Sequence, residues 1–218
     1  MADVAFPRLH KAIRWSTKVH KNQDRDGDAP LPYITHIAEV VSNLRFVGAV
    51  KDEEMLCAAA LHDVVEQSGV AFEEIEKKFG NRVRTLVEEM TRKEPTKKET
   101  KGMTPDQIWQ LRSGMLLDEI KRMSKDAQQL KLADRLSNIR NAIQTKLGGK
   151  LERAVKQTEE ILQIIPRTVN AGLWDAIKAE LREHSATSVA VVDMPKIAVQ
   201  KPNPKTKQHR ARTQHSKK

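Results

Sequence analysis

The 218-residue sequence holds one cysteine, Cys57, which excludes an intramolecular disulfide and any zinc site built on cysteines, and fits a reducing compartment. Aromatic residues make up only 4%, so a core must rest on Leu, Ile, Val, Ala and Met. No apolar run approaches the roughly 20 residues of a membrane span. The opening Met1-Ala2-Asp3 lacks the basic start and apolar stretch of a signal peptide. Segments that alternate with period two over enough residues to make a sheet are missing as well. These absences leave a cytoplasmic protein without a membrane span as the expectation.

Charge is plentiful but unevenly placed. Charged residues are 31% of the chain and the net charge is +10. Residues 186–218 carry seven of those ten charges, from eight Lys or Arg against the single acid Asp193. This segment is rich in Pro, Gln and Thr and has no apolar period after Val199, which predicts a disordered arm. Such an arm can bind nucleic acid weakly by counterion release. It lacks interleaved aromatics for base stacking, and a solubilising extension is an equal reading.

Residues 1–185 show a 3.6-residue apolar period, broken by turn formers. Helices are expected over about 3–21, from Thr35 as N-cap to Val47, and from Asp52 through Val65 to Ser68-Gly69. Shorter ones follow at 71–79 and 81–91, joined at Gly80. A charged loop spans 92–104, and Thr104-Pro105-Asp106 starts a helix with proline at its first position. The remaining helices fall at 105–123, 125–146, 149–165 and 170–184, and only Val189–Val192 looks strand-like. The fold class is all-α, a bundle of about eight to nine helices over residues 1–185.

Two of these helices carry polar residues where an apolar face is expected. Ala60-Leu61-His62-Asp63-Val64-Val65-Glu66 sets a histidine beside an aspartate, with Glu66 one turn on. Leu132-Ala133-Asp134-Arg135-Leu136 places Asp134 one turn before Asn138. His36 follows Pro32-Tyr33-Ile34-Thr35 at the start of a third helix. Burying such groups costs several kcal/mol unless something compensates them. A metal ion on His36, His62, Asp63 and Asp134 would do so, and mixed imidazole and carboxylate ligands suit Mn, Fe, Co, Ni or Zn rather than Ca. That donor set serves phosphoryl hydrolysis. Singly, each group also reads as an ordinary packed histidine, ion pair or helix cap.

His20-Lys21-Asn22-Gln23-Asp24-Arg25, Pro32-Tyr33-Ile34-Thr35-His36, Ala60 to Glu66, Phe79-Gly80 and Lys131 to Asn138 together resemble the HD-domain metal phosphohydrolases. Within them the chain is similar to the hydrolase domain of RelA/SpoT-type alarmone enzymes and to small Mesh-type hydrolases, across most of residues 5–165. The resemblance implies Mn²⁺ on His36, His62, Asp63 and Asp134, and removal of the 3′-pyrophosphate from ppGpp-like nucleotides. It also implies that Glu66 assists the attacking water, Arg25 lies against the base and Asn138 lines the nucleotide pocket.

Three positions depart from the pattern. Gln67 stands where the family has a second acid, and Gln cannot exchange a proton. Arg25 is followed by Asp26 instead of lysine, in a loop two residues longer. The segment after Asn138 lacks the usual aromatic and polar markers. Another nucleotide, such as NADPH, pppApp or a nucleoside monophosphate, is the first alternative substrate; a weakly catalytic nucleotide- or RNA-binding protein is the second reading. His10, His20, His184, His209 and His215 have no partner spacing and read as structural or surface residues. Cys57 reads as core, and Trp15, Trp109 and Trp174 as packing residues. Lys97, Lys98 and Lys101 in the charged loop can reach phosphates but read first as solvated. Nothing in the sequence fixes an oligomeric state.

Overall fold

The computed structural model describes residues 6–25 and 31–192, with side chains as far as position 186. The arm beyond Val192 and the Asp26 departure lie outside the described residues. Among the described residues ten α-helices run α1 Pro7–Val19, α2 Ile34–Ser42, α3 Glu53–Leu61, α4 Val64–Ser68, α5 Phe72–Phe79, α6 Asn81–Met90, α7 Pro105–Arg122, α8 Lys125–Thr145, α9 Gly149–Ile164 and α10 Ala171–Val192. There are no strands among the described residues, only an isolated bridge between Asp24 and Pro32. The all-α expectation holds.

The helix borders follow local chemistry. Asp52 accepts from the backbone N–H of Glu54 and Met55 and starts α3. Thr104 and Gln107 form a reciprocal capping box with Pro105 at the first turn of α7. Gly69 closes α4 with φ +66, a left-handed conformation that favours glycine. Gly172 has a different role: a Cβ there would sit 2.2 Å from the Val47 carbonyl oxygen, so only glycine lets α10 approach so closely.

α3 and α8 form the centre. Met55 to Leu61 is buried without interruption, as is Leu130 to Ser137. A helix buried on every side loses its amphipathic stripe, and this central pair is packed against α1, α2, α6 and α10. Polar groups on these two helices therefore sit in the interior, where they need partners.

Four borders differ from expectation. α1 begins at Pro7 after a non-helical Phe6, and residues 1–5 lie outside the described residues. Thr35 is not an N-cap: α2 starts at Ile34 without a side-chain cap, and the Thr35 hydroxyl donates to the Pro32 carbonyl at 2.9 Å. The helix expected from Asp52 to Ser68 is broken after Leu61, with His62-Asp63 as the joint. α10 continues to Val192, so Val189–Val192 is helical and not strand-like. Within the α2 region, the last turn widens to a π-helix over Asn43–Val47, which ends at Gly48.

Candidate metal centre

The break between α3 and α4 turns His62 and Asp63 out of the apolar period and toward α2 and α8. Nε2 of His62 lies 3.1 Å from Asp63 Oδ2 and 3.9 Å from Asp134 Oδ1. Nε2 of His36 lies 3.5 Å from each of the same two oxygens. Four donor atoms from three parts of the chain thus converge. Possible ligand atoms of His36, His62 and Asp134 all lie within 4.8 Å of one another.

The opposite edges of these groups are tied down. His62 Nδ1 faces the Ala59 carbonyl at 2.8 Å, which makes Nδ1 the protonated nitrogen and leaves a lone pair on Nε2. His36 Nδ1 faces the Ser137 hydroxyl at 2.9 Å, and that hydroxyl donates to Glu39 Oε2 at 2.5 Å. Tyr33 donates to Asp63 Oδ2 at 2.5 Å. Lys131 donates to Asp134 Oδ2 at 3.0 Å, and Asn138 to Asp134 Oδ1 at 2.6 Å. Outer contacts of this kind orient metal ligands and set their basicity.

The residues fit a divalent transition ion. With His62 neutral its buried Nε2 has no hydrogen-bond donor to accept from, a costly state that either a proton shared with Asp63 or a bound cation relieves. Two neutral imidazole nitrogens and two carboxylates suit that class of ion. Electrostatics agree. Burial works against charge on His62, but the Asp63 carboxylate outweighs it and raises the pKa to about 9. Burial likewise opposes charge on His36 and is outweighed by Asp134 and Asp63. Asp63 and Asp134 stay well below the usual carboxylate range: burial opposes their ionisation, but His62 and Lys131 respectively favour it most. Without the ion, protons on the histidines stand in for its charge.

Glu66, Gln67 and Asn138 line an inner cavity of about 150 Å³ together with Tyr33, His36, Asp63 and Asp134. Partial desolvation against the cavity wall, reinforced by Asp63, raises the Glu66 pKa, although much of the side chain is open to solvent. The cavity opens into a cleft of about 500 Å³ lined by Arg25, Arg92, Arg135, Lys146, Lys150 and Arg153, with no carboxylate among its lining residues. Trp109 lines it too, under the Arg153 guanidinium at 5.5 Å, so this tryptophan does more than pack. Arg25 is buried and held by Glu39 at 2.8 Å and by the Ser137 carbonyl and hydroxyl, each at 2.9 Å. Lys97, Lys98 and Lys101 do not line it.

The HD domain family matches residues 12–164. The chain belongs to that family. A guanosine-3′,5′-bis(diphosphate) 3′-pyrophosphohydrolase MESH1 from Drosophila melanogaster is 31% identical over 154 residues, covering 70% of this chain and 80% of its own. The Xenopus tropicalis MESH1 is 33% identical over 147 residues, covering 67% and 76%. A solved structure described as a metazoan orthologue of SpoT that hydrolyses ppGpp superposes with a TM-score of 0.69 at 26% identity, covering 81% of this chain and 95% of its own.

In this HD domain Arg25, His36, Asp63, Glu66, Asp134 and Asn138 line the inner cavity or its adjoining cleft, and His62 is buried behind that wall with its Nε2 3.1 Å from Asp63. The structure also gives roles to residues that the sequence left without one, most of them inside the same motifs. Ser137, Glu39, Tyr33 and Lys131 hold the donors, and His20 is buried against the Tyr33 ring at 4.9 Å with Nδ1 2.8 Å from Gln23 Oε1. Gln23 in turn donates to the Gln67 carbonyl and the Ser68 hydroxyl, fixing the turn after Glu66. The His20-to-Gln23 spacing was the signal available for that pair.

Proposed function

We propose that the protein is a divalent-metal-dependent guanosine-3′,5′-bis(diphosphate) 3′-pyrophosphohydrolase, with Mn²⁺ as its ion. One observation carries the reading: a four-donor cluster at the floor of a cleft whose charged lining is all cationic. A nucleotide bearing phosphates at two positions is the kind of ligand that cleft would attract. The relatives and the superposed structure carry that activity in their names.

In this reading His36, His62, Asp63 and Asp134 hold the ion, which supplies Lewis acidity when bound. Glu66, whose pKa is raised by desolvation and by Asp63, takes the proton of the attacking water. Asn138 fixes Asp134 through its amide and offers its remaining polar edge to the sugar side. Arg25 lies against the base; its planar guanidinium is held in place by Glu39 and Ser137 and suits stacking on a purine. The phosphorus–oxygen bond to the ribose 3′ oxygen breaks, pyrophosphate leaves with the oxygen of water, and the proton taken up by Glu66 returns to the 3′ oxygen as it leaves.

Residues 1–185 would form the hydrolase unit and 186–218 a basic arm able to bind nucleic acid weakly. A reducing, cytoplasmic setting suits the buried free thiol of Cys57. No described helix is long and apolar enough to cross a membrane.

Purified protein with Mn²⁺, offered ppGpp, pppGpp, pppApp, NADPH and nucleoside monophosphates, tests the proposal. The expected result is release of pyrophosphate from ppGpp, abolished with loss of the ion in His62→Ala or Asp63→Ala. Turnover confined to NADPH or monophosphates would replace the substrate and keep the chemistry. If no nucleotide turns over with any divalent ion, while truncation at residue 185 abolishes nucleic-acid binding, the enzymatic reading fails.

A further inference from the structure

Two cations on one stretch of α8 are buried beside the donor cluster, and they are treated differently. Lys131 is 5% exposed and pairs with Asp134 at 3.0 Å. Arg135 is 8% exposed and, among the described residues, forms no ion pair within 4 Å, although the Asp134 carboxylate acts on it at longer range. Its one hydrogen bond runs from Nη2 to Gln157 Oε1 at 3.2 Å, and its Nε has no partner at all. Asp134, its neighbour in sequence, is already bonded on both oxygens by Lys131 and Asn138.

A guanidinium removed from water and left unpaired costs several kcal/mol. The position of Arg135 shows where compensation can come from. It lines the inner cavity and the cleft alike, as does Arg92, whose guanidinium, among the described residues, makes a long contact of 3.4 Å to Glu94 and acts on Glu66 through charge alone. Gln157 holds Arg135 from α9 and is itself bonded to Ser113 of α7 at 3.1 Å, so the group is braced from two further helices. Resting on the phosphohydrolase reading above, we propose that Arg135 and Arg92 form a second phosphate-binding subsite at the neck between the two cavities. It makes the enzyme selective for a pyrophosphate ester over a single phosphate at the same ribose position.

The chemistry follows from counting anions. A monophosphate ester needs only the donor cluster and leaves the neck cations unpaired. A pyrophosphate ester fills both: the phosphoryl group joined to the ribose lies at the donor cluster, and the terminal one meets the guanidinium pair. The planar fork of arginine matches two phosphate oxygens at once, which an ammonium does not.

The test uses the full chain loaded with Mn²⁺ and freed of excess ion, and measures binding of inorganic pyrophosphate and of orthophosphate by calorimetry. Charge-assisted hydrogen bonds of this kind imply that Arg135→Met weakens pyrophosphate binding about tenfold or more. Orthophosphate binding stays nearly constant, and Arg135→Lys recovers only part of the loss. Arg92→Ala, at a partly exposed position, shows a smaller loss of the same selectivity. Equal weakening of both anions, or no change in either, overturns the subsite. Because no nucleotide is used, absence of ppGpp turnover in the wild type would sink the substrate assignment and leave this result standing. Conversely, an active ppGpp hydrolase whose Arg135→Met variant keeps its pyrophosphate affinity would sink the subsite alone.

Discussion

The hydroxyl of Ser137 accepts from Nδ1 of His36 at 2.9 Å, because its own proton goes to Glu39 at 2.5 Å. This direction fixes the neutral tautomer of His36 with its lone pair on Nε2, the nitrogen that faces Asp63 and Asp134. Arg25 donates to the same hydroxyl, so Arg25 and His36 share one anchor. Ser137→Ala removes the acceptor while leaving a small side chain in a fully buried position. We expect metal affinity to fall about 10- to 100-fold, the usual effect of losing such an outer contact, with little change in helical content. Chelator competition measures it; unchanged affinity would mean that packing alone orients His36.

Much of this was legible in the sequence, and the remainder has a physical explanation. Asp52, Gly69, Gly80 and Thr104-Pro105 announce helix borders through short-range chemistry, and all four hold. The break at His62-Asp63 was hidden because the apolar period of Ala58–Ala60 runs straight on into Val64 and Val65. The donor residues were found because His and Asp are conspicuous on an apolar helix. Their anchors were not: Ser137 is 101 residues from His36, Glu39 is 98 from Ser137, and Tyr33 is 30 from Asp63. Serine and tyrosine carry no spacing rule that points across such distances. The missing partner of Arg135 is likewise a tertiary fact, since Asp134 beside it in sequence offers itself as an ion-pair partner.

Removing the ion should reveal a pH-dependent stability with a defined sign. In the metal-free protein the His62 pKa is about 9 against 6.5 for the free side chain: burial alone would lower it, and the Asp63 carboxylate more than reverses that. A folded-state pKa above the unfolded one means the stabilisation is complete below pH 6.5 and is lost as pH rises through 9. Between these limits stability falls by at most about 1.4 kcal/mol per pH unit. Urea titrations of chelator-treated protein across this range read it directly. Ion binding must displace the same proton, so metal affinity rises over the range in which metal-free stability declines. A metal-free protein that is equally stable at pH 6.5 and 9 would contradict the charge assignment.

The outer cleft should act through charge more than contact. Lys150 is exposed at the start of α9, and Arg153 lies over Trp109 while paired with Asp106. Neither touches the donor cluster. Lys150→Glu should raise KM for ppGpp about five- to tenfold at low ionic strength and leave kcat nearly unchanged. The difference should shrink as salt screens the exposed charge. Steady-state rates at two ionic strengths separate this from a loss of folding, which would lower the active fraction and hence kcat.

Gln67 is the position where adding chemistry is more informative than removing it. Its side chain is exposed and lines both cavities next to Glu66, while its backbone is held by Gln23 and Asp63. Gln67→Asp therefore leaves the turn intact and places a carboxylate where the family resemblance expects one. Like charge beside Glu66 raises a pKa that burial and Asp63 have already raised. The acid limb of the pH–rate profile should move upward. If the amide had removed a proton donor from an alarmone hydrolase, kcat for ppGpp should rise by about tenfold or more, within the range typical of general acid–base catalysis. A fall in kcat for ppGpp would instead indicate that the neutral amide belongs to the chemistry this cleft performs. Measuring both the profile and pyrophosphate release distinguishes these outcomes in one series.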